Sequence, residues 1–459
     1  MGRWAAALTL AALLVLAGCS AGYQGPTTAE PGGSGATPSG TTTATPAPDD
    51  RLGWEAGYDA NATLSVNATD GLNETELEAV VARTMARVEL IRGLEFKQTV
   101  PVEVVSRAEY RERGVFGSDP DPVADQSYEA LFLVGEDRAA SDVRSELTGA
   151  GVVGYYSPGE DAIVLVSDSP TPQVSRATLA HELVHALQDQ QLTLSYRAET
   201  RDERLAALGL VEGDAVTVQR EYQSRCGVNW TCIDQPSGDA PPAGPIARNP
   251  GFYLTLIQPY VEGPEFVAAL RNRSDGEWDA VNDAFDRFPN STEQTIHPGA
   301  YPDDGPANLS VPDRSTDAWE RVGSDTLGEA QIHVMFWKQR FVPRPDDAIR
   351  TDYDHRLSAG WGNDRLVAYR NAATDESAYV WRLVWDSPAE ATEFHEGYTR
   401  MLRLRFDGDR VRGASGVYAI ADGPFADAFR VRLDGDTVTI VNAPSADGLS
   451  AVGGEASEP

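Results

Sequence analysis

Lysine is nearly absent from this chain: only Lys97 and Lys338 occur, and arginine supplies the rest of its 38 basic residues. Against them stand 70 aspartates and glutamates, for a formal net charge of −32 over 459 residues. So acidic a chain repels phosphates at long range, which argues against a nucleic-acid binder. Abundant carboxylates with scarce lysine suit solubility in concentrated salt, which concerns habitat and not fold. Cysteine is also scarce, at three residues, too few for a cysteine-rich zinc module. The N-terminal apolar run, Trp4 to Val15, falls short of the ~20 residues that span a bilayer. There is no internal repeat. With 41% hydrophobic and 24% charged residues, the chain can still bury a sizeable core, so bulk disorder is excluded. Its length suggests roughly two or three domains.

Residues 1–19 read as an address. Arg3 supplies the positive start, and Leu16-Ala17-Gly18-Cys19 closes the apolar run like a lipoprotein cleavage box. Cys19 would then carry lipid as the mature N-terminus, anchoring the protein to the extracellular face of the cell membrane. An ordinary signal peptide with an accidental cysteine is the plainer alternative. Residues 20–70 form the expected tether; Ser20 to Asp50 is rich in Thr, Ser, Pro, Gly and Ala, which favours a flexible segment without a core. Outside the cell, Cys226 and Cys232 are expected to form a disulfide across a short loop, the alternative being two free thiols. Glycosylation sequons start at Asn61, Asn67, Asn73, Asn229, Asn272, Asn290 and Asn308.

Beyond the tether, Asn73 to Ile91 reads as a helix, with Asn73 as cap and Glu76 at the third helical position. Val100 to Val105 reads as a strand. Val152 to Tyr156 and Ala162 to Val166 form a hairpin-like pair. Helices are expected from about Ser175 to Gln190 and from about Asp202 to Tyr222, with helical patterns near Pro264 to Leu270 and Trp278 to Phe288. The Pro- and Asp-rich stretch Pro343 to Asp354 looks like a boundary. After it come strands at Asp364 to Tyr369 and Tyr379 to Trp385, a helix opened by Ser387-Pro388-Ala389-Glu390, and strands at Val417 to Ala421, Phe429 to Leu433 and Thr437 to Val441. The expected division is a domain over 71–342, a small α+β module over 355–445 and a loose tail over 446–459.

The chemistry is concentrated in His181-Glu182-Leu183-Val184-His185. On a helix, residues four apart share a face, so both imidazoles can reach one metal. Glu182 lies one step round, where it can take a proton from the attacking water. With six histidines in the chain, chance yields roughly 0.01 such matches. The plain alternative is an amphipathic helix with two surface histidines. Gln188 and Gln191 occupy the positions where a metzincin has glycine and histidine, which excludes that class. Zinc needs a third protein ligand. Glu212, on the next helix with apolar neighbours Leu205, Leu208 and Ala215 on its face, is the candidate; a buried carboxylate there is costly unless paired or metal-bound. Asp214 is its rival, and an ordinary surface glutamate is the alternative. Gly213 and Ala215 are expected to let the two helices approach closely. Asp189, four residues after His185, is either an orienting carboxylate for that imidazole or a solvated helix charge.

His181-Glu182-x-x-His185 followed by Glu212-Gly-x-Ala resembles the gluzincins, the peptidase MA-like zinc metallopeptidases. Gly154-Tyr155-Tyr156 through Val166, just before the motif helix, is similar to the edge strand on which gluzincins pair extended peptides. A narrower resemblance is to uncharacterised haloarchaeal surface lipoproteins; it includes Phe288-Pro289-Asn290-Ser291-Thr292-Glu293-Gln294-Thr295-Ile296-His297-Pro298 and Gly360-Trp361-Gly362-Asn363-Asp364. The resemblance implies an α+β zincin-like fold, a zinc ion on His181, His185 and Glu212, Glu182 as general base, and a peptide or protein substrate. The thermolysin-type Asn before Glu212 and Ser-Asp after it are missing. Gluzincins steady the oxyanion with a His or Tyr, for which His297 and Tyr301 are candidates; a capping histidine and a packed tyrosine are the alternatives. Tyr155 and Tyr156 read as strand packing, and His333, His355 and His395 as structural. The rival function is a non-catalytic surface structural or binding lipoprotein on the same fold.

Overall fold

The structure is a computed structural model that describes residues 51–114, 120–148, 151–192, 194, 196–234, 243–344, 349 and 351–453. The expected signal segment, its lipidated Cys19 and most of the tether lie outside the described residues. Among the described residues no helix is long and apolar enough to cross a membrane.

A small hairpin, β1 (Trp54–Glu55) and β2 (Tyr58–Asp59), leads into α1 (Glu74–Arg92). The capping box expected at α1 is present: Asn73 accepts from the Glu76 N–H, and Glu76 accepts from the Asn73 N–H. Next come β3 (Val102–Val105), α2 (Arg107–Arg113), α3 (Pro122–Ala130), α4 (Ala140–Thr148), β4 (Gly154–Ser157) and β5 (Ala162–Val166). The three strands form one sheet in the order β3-β5-β4, with β5 parallel to β3 and antiparallel to β4, so β4 is an edge. A helical stretch follows: α5 (Arg176–Gln191), α6 (Arg201–Arg225), α7 (Ala243–Arg248), α8 (Pro250–Arg273), α9 (Asp279–Ala284) and α10 (Thr292–Ile296). Then come β6 (Trp319–Asp325), α11 (Gly328–Lys338), β7 (Trp361–Asn371), β8 (Ser377–Trp385), α12 (Pro388–Arg405), β9 (Asp409–Arg410), β10 (Val417–Ala419), β11 (Ala428–Asp434), β12 (Thr437–Ala443) and α13 (Leu449–Gly453). The later strands form an antiparallel seven-stranded sheet, β6-β7-β8-β12-β11-β10-β9. The fold is α+β.

Two large apolar cores organise these elements. One collects α1, the small sheet, α5, α6 and the second half of α8, through residues such as Val88, Ile163, Leu183, Leu210 and Phe266. The other lies on one face of the seven-stranded sheet, where Trp381, Leu383, Phe429 and Ile440 meet α3, α11, α12 and the first half of α8. The helix α8 thus serves both. The opposite face of the large sheet has its own smaller cluster, closed by Leu449 and Val452 of α13.

The large sheet reaches back past the Pro343–Asp354 stretch: β6 is its first edge strand, and α11 packs in the same core as β7, β8 and α12. Neither element is visible in the sequence pattern. Gly328 to Trp337 are all buried, so α11 has no polar face to set a helical period.

The two segments of the narrower resemblance meet in a buried polar junction. Asp364 is fully buried and accepts four hydrogen bonds: from the N–H groups of Leu327 (3.0 Å) and Gly328 (2.8 Å), and from the indoles of Trp361 (3.0 Å) and Trp381 (2.9 Å). It therefore caps α11 with a carboxylate, where the helix dipole favours negative charge. Nearby, Asp202 at the start of α6 accepts from the N–H (3.1 Å) and hydroxyl (2.5 Å) of Thr292. Gly328 has φ +81°, and a Cβ there would lie 1.7 Å from Asp202 Oδ1, so glycine alone fits. The junction joins the start of α6 to the large sheet. Replacing Asp364 by alanine orphans four buried donors; we expect a loss of about 3 kcal/mol or more, read as a fall in thermal midpoint by scanning calorimetry.

Candidate metal centre

The motif helix α5 starts at Ser175, whose hydroxyl accepts from the Thr178 N–H at 3.3 Å. Leu179, Leu183, Val184 and Leu187 are buried in the first core and hold α5 against α6. A capping box at Thr200 and Glu203 starts α6. These anchors bring His181, His185 and Glu212 together, with one ligand atom from each within 4.8 Å of the others. The individual separations are 3.0 Å between the two Nε2 atoms, 3.1 Å from His181 Nε2 to Glu212 Oε2, and 3.4 Å from His185 Nε2 to the same oxygen. Glu212 is buried, as its expected inward direction requires, although Leu205 and Leu208 beside it are only half-buried.

The protonation pattern follows from the outer contacts. His185 Nδ1 faces Gln188 Oε1 at 2.9 Å. The Gln188 amide is oriented by its nitrogen, which donates to Val211 O (3.0 Å) and Asp214 Oδ2 (2.9 Å). Its oxygen must then accept the His185 Nδ1 proton, leaving Nε2 as a lone pair. His181 Nδ1 likewise meets Gln219 Oε1 at 3.1 Å. Two imidazole lone pairs and a carboxylate oxygen therefore converge in a site where no member is more than 2% exposed. Burial pushes the His181 imidazole below its usual range, so it resists taking a proton to relieve the repulsion. Against the effect of burial, positive charge on the imidazole side of the cluster would hold the Glu212 carboxyl well below the usual carboxylate range. The second oxygen of Glu212 is buried without a hydrogen-bond partner, as is Oε1 of Glu182.

This donor set fits zinc. Ligand atoms about 2.0–2.2 Å from a tetrahedral zinc sit roughly 3.3–3.5 Å apart, close to the separations above. Two neutral histidines oriented by amide oxygens and one ionised carboxylate also match the chemistry that zinc selects.

Glu182 sits beside the triad. Its Oε2 accepts from the backbone N–H of Tyr156 at 2.9 Å, so the edge strand β4 lies directly against the motif helix. Burial pushes the Glu182 carboxyl up to about 8. The Tyr260 ring of α8 stacks over His181 at a centroid distance of 6.4 Å. No sequence signal marks Tyr260. Gln219 lies seven residues after Glu212, on the same helical face, and was legible in principle.

Several expectations need correction. Asp214 does not join the triad: it forms a buried ion pair with Arg92 at 2.9 Å and accepts from Gln188. Asp189 does not orient His185; it accepts from the Tyr156 hydroxyl at 2.7 Å. Gly213 does not serve the approach of α5. A Cβ there would lie 2.3 Å from Gly263 O, so it lets α8 press on α6. Tyr301 is packed on Phe266, and its hydroxyl donates to Arg287 O at 2.7 Å, so it has no contact with the triad. His297 is paired with the buried Glu329 at 3.0 Å. His333, His355 and His395 stand outside the triad. Cys226 and Cys232 form the expected disulfide.

The comparisons with known proteins reach only the later part of the chain. A family described as a domain of unknown function (DUF8575) matches residues 315–453, which contain the seven-stranded sheet and none of the triad. No curated protein and no solved structure matches the chain.

Purified protein should hold one zinc per chain by plasma emission spectrometry, and His181→Ala or Glu212→Ala should abolish it. Gln188→Leu should weaken zinc binding roughly 10–100-fold, because His185 loses its orienting acceptor, read by competition with a chromogenic chelator. For His297, the Glu329 carboxylate raises the imidazole from 6.5 to about 9. A raised folded value stabilises fully below the unfolded one and is lost as pH climbs towards 9. In Glu329→Gln the His297 ring resonances should titrate near or below 6.5 by NMR; an unchanged titration would sink the pairing.

Proposed function

We propose that this chain is an exported, membrane-anchored zinc metallopeptidase of gluzincin type. The observation that carries the proposal is the convergence of His181, His185 and Glu212 within 4.8 Å, in a buried site beside Glu182. His181 and His185 hold zinc through Nε2, and Glu212 holds it through a carboxylate oxygen. The ion supplies Lewis acidity, polarising a peptide carbonyl and acidifying water. Glu182 takes a proton from the attacking water and delivers it to the leaving amine. Its carboxyl is raised to about 8, chiefly by burial and further by the Glu212 carboxylate; positive charge on the neighbouring triad draws it down to the range where a general base works at neutral pH. Tyr156 positions Glu182 through its backbone N–H. Because Glu182 reaches the edge strand β4, a peptide paired with that edge would be carried past the proton acceptor.

The rival reading is a non-catalytic surface lipoprotein that uses the metal to hold its fold. Burial favours it: His181, Glu182, His185 and Glu212 are each between 0% and 2% exposed. Turnover therefore requires β4 or α8 to move aside, whereas a structural ion requires no motion. Glu182→Gln separates the two. It should retain full zinc occupancy and lose nearly all hydrolysis of casein or of a quenched peptide library. A zinc-loaded parent inactive on every peptide would leave the structural reading standing.

A further inference from the structure

Acids outnumber bases 70 to 38 in this chain, so arginines gathered without carboxylates are unexpected. The large sheet gathers four of them on one face. Arg365 of β7 is opposite Arg382 of β8, Arg382 is opposite Thr439 of β12, and Thr439 is opposite Arg432 of β11. Residues opposite one another in a sheet project from the same face, and strands lie ~4.8 Å apart, so this row crosses four strands over roughly 14 Å. The next rung runs Val367, Val380, Val441, Arg430 along the same path. Its valines belong to the cluster closed by α13, so the row lies on the sheet face turned away from the large core.

Like charges directly opposite each other in a sheet are destabilising, and Arg365 and Arg382 are so placed. Among the described residues no carboxylate forms an ion pair with Arg365, Arg382, Arg430 or Arg432. Asp434, two residues beyond Arg432 on the same face, leaves that arginine unpaired. Arg382 donates from Nη1 to Ser310 O at 3.4 Å, and its Nε is buried without a hydrogen-bond partner. Arg430 donates from Nη2 to the Ser450 hydroxyl of α13 at 3.4 Å. Arg432 is exposed, and the other three are half-buried. Neutral oxygens thus meet part of the row, and no negative charge answers it.

We propose that this row binds a linear acidic polysaccharide through its carboxylate or sulfate groups. Charges set in a line, rather than gathered at a point, suit a chain that repeats its own charge. Each guanidinium fork can hold an oxyanion by two parallel hydrogen bonds. The rest of the face favours a sugar chain over other polyanions. Single-stranded nucleic acid needs aromatic platforms for its bases, but Trp319 and Tyr369, the aromatic residues of this face, are buried. A protein partner needs a desolvated apolar anchor. The row itself holds only arginine and threonine; Val367, Val380 and Val441 on one side are buried, and Val384 on the other is half-buried. A hydrated sugar chain requires neither feature. All four arginines lie within residues 315–453, the segment matched by the family of unknown function, and the proposal is independent of the zinc reading.

The test uses the full-length protein at about 0.1 M salt, where charges act over ~10 Å, with polygalacturonate and dextran sulfate as probes. Affinity electrophoresis should show retardation by at least one of these and none by neutral dextran. Arg432 is exposed, so Arg432→Gln should fold normally and already weaken the retardation. Combining Arg382→Gln with Arg432→Gln should lower affinity roughly tenfold or more, because two charge-assisted contacts are lost. Arg400→Gln combined with Arg403→Gln, on α12 across the sheet, removes the same charge and should leave affinity unchanged. Scanning calorimetry confirms that each variant is folded. Retardation of the parent by neither probe, equal retardation of the folded Arg382→Gln, Arg432→Gln variant, or tighter binding of polyglutamate or a single-stranded oligodeoxynucleotide than of either polysaccharide would each overturn the proposal.

Discussion

Lone pairs that face one another inside a protein repel unless something positive lies between them, and the N-terminal core is arranged around one such convergence. The nitrogens of His181 and His185 stand 3.0 Å apart with a carboxylate oxygen beside them. Several buried contacts hold them there. Gln219 and Gln188 fix the two rings. Asp214 fixes Gln188, Arg92 neutralises Asp214, and the Arg92 guanidinium lies 4.3 Å from the centre of the Trp278 ring, whose indole donates to Ile91 O. Breaking a link leaves a buried charge or amide unpaired, which costs more than the intact contact contributes. The triad is therefore held in place by its protein surroundings.

The C-terminal sheet takes part in the same constraint. Glu212 depends on the position of α6, and α6 is gripped along its length. At its start, Asp202 is bonded to Thr292 and crowded by Gly328, whose helix is capped by Asp364. In its middle, Gly213 admits the backbone of α8 at Gly263, and the missing Cβ of Gly263 lets it lie against Gly209 O. A side chain at Gly213 would drive α8 and its Tyr260 away from His181, and one at Gly209 would press on Thr295 of α10. The motifs around Thr292 and Asp364 thus have a structural meaning that no local reading of them suggests. They transmit the position of the sheet to the helix that carries Glu212.

This explains which parts were legible. His181, Glu182 and His185 announce themselves because a helix repeats every 3.6 residues and histidine is rare here. Glu212 could be selected because a buried acid needs a partner. The outer contacts resist such selection. Asp189 and Asp214 are the acids nearest in sequence to the triad, yet glutamines perform the orienting work and the aspartates turn to Tyr156 and Arg92. Sequence spacing gives the face of a helix but not which neighbour waits across it. Gly213 shows the same limit: the need for close approach was readable, the approaching helix was not. The helix α11 was illegible for the opposite reason, since complete burial removes the polar face that makes a period visible. Tyr301 and His297 were plausible by residue type, but their polar atoms are committed to Arg287 and Glu329.

In a chain with 70 acids, most carboxylates are solvent-facing, and the informative ones are those that burial forces to find a partner. Asp364 has four donors, Asp214 has Arg92, Glu329 has His297, and Glu89 has the N–H groups of Gly53 and Phe96. Each of these is explained by protein alone. Glu212 is different: its nearest partners are imidazole nitrogens whose protons are already directed elsewhere. Glu129 and Asp427 belong with the first group: Asp427 accepts from the Asn442 amide at 2.8 Å, and burial raises both carboxyls so that the pair can share a proton. The same physical rule, applied to every buried acid in turn, separates structural carboxylates from those whose surroundings call for a cation. It reaches the triad without relying on a motif.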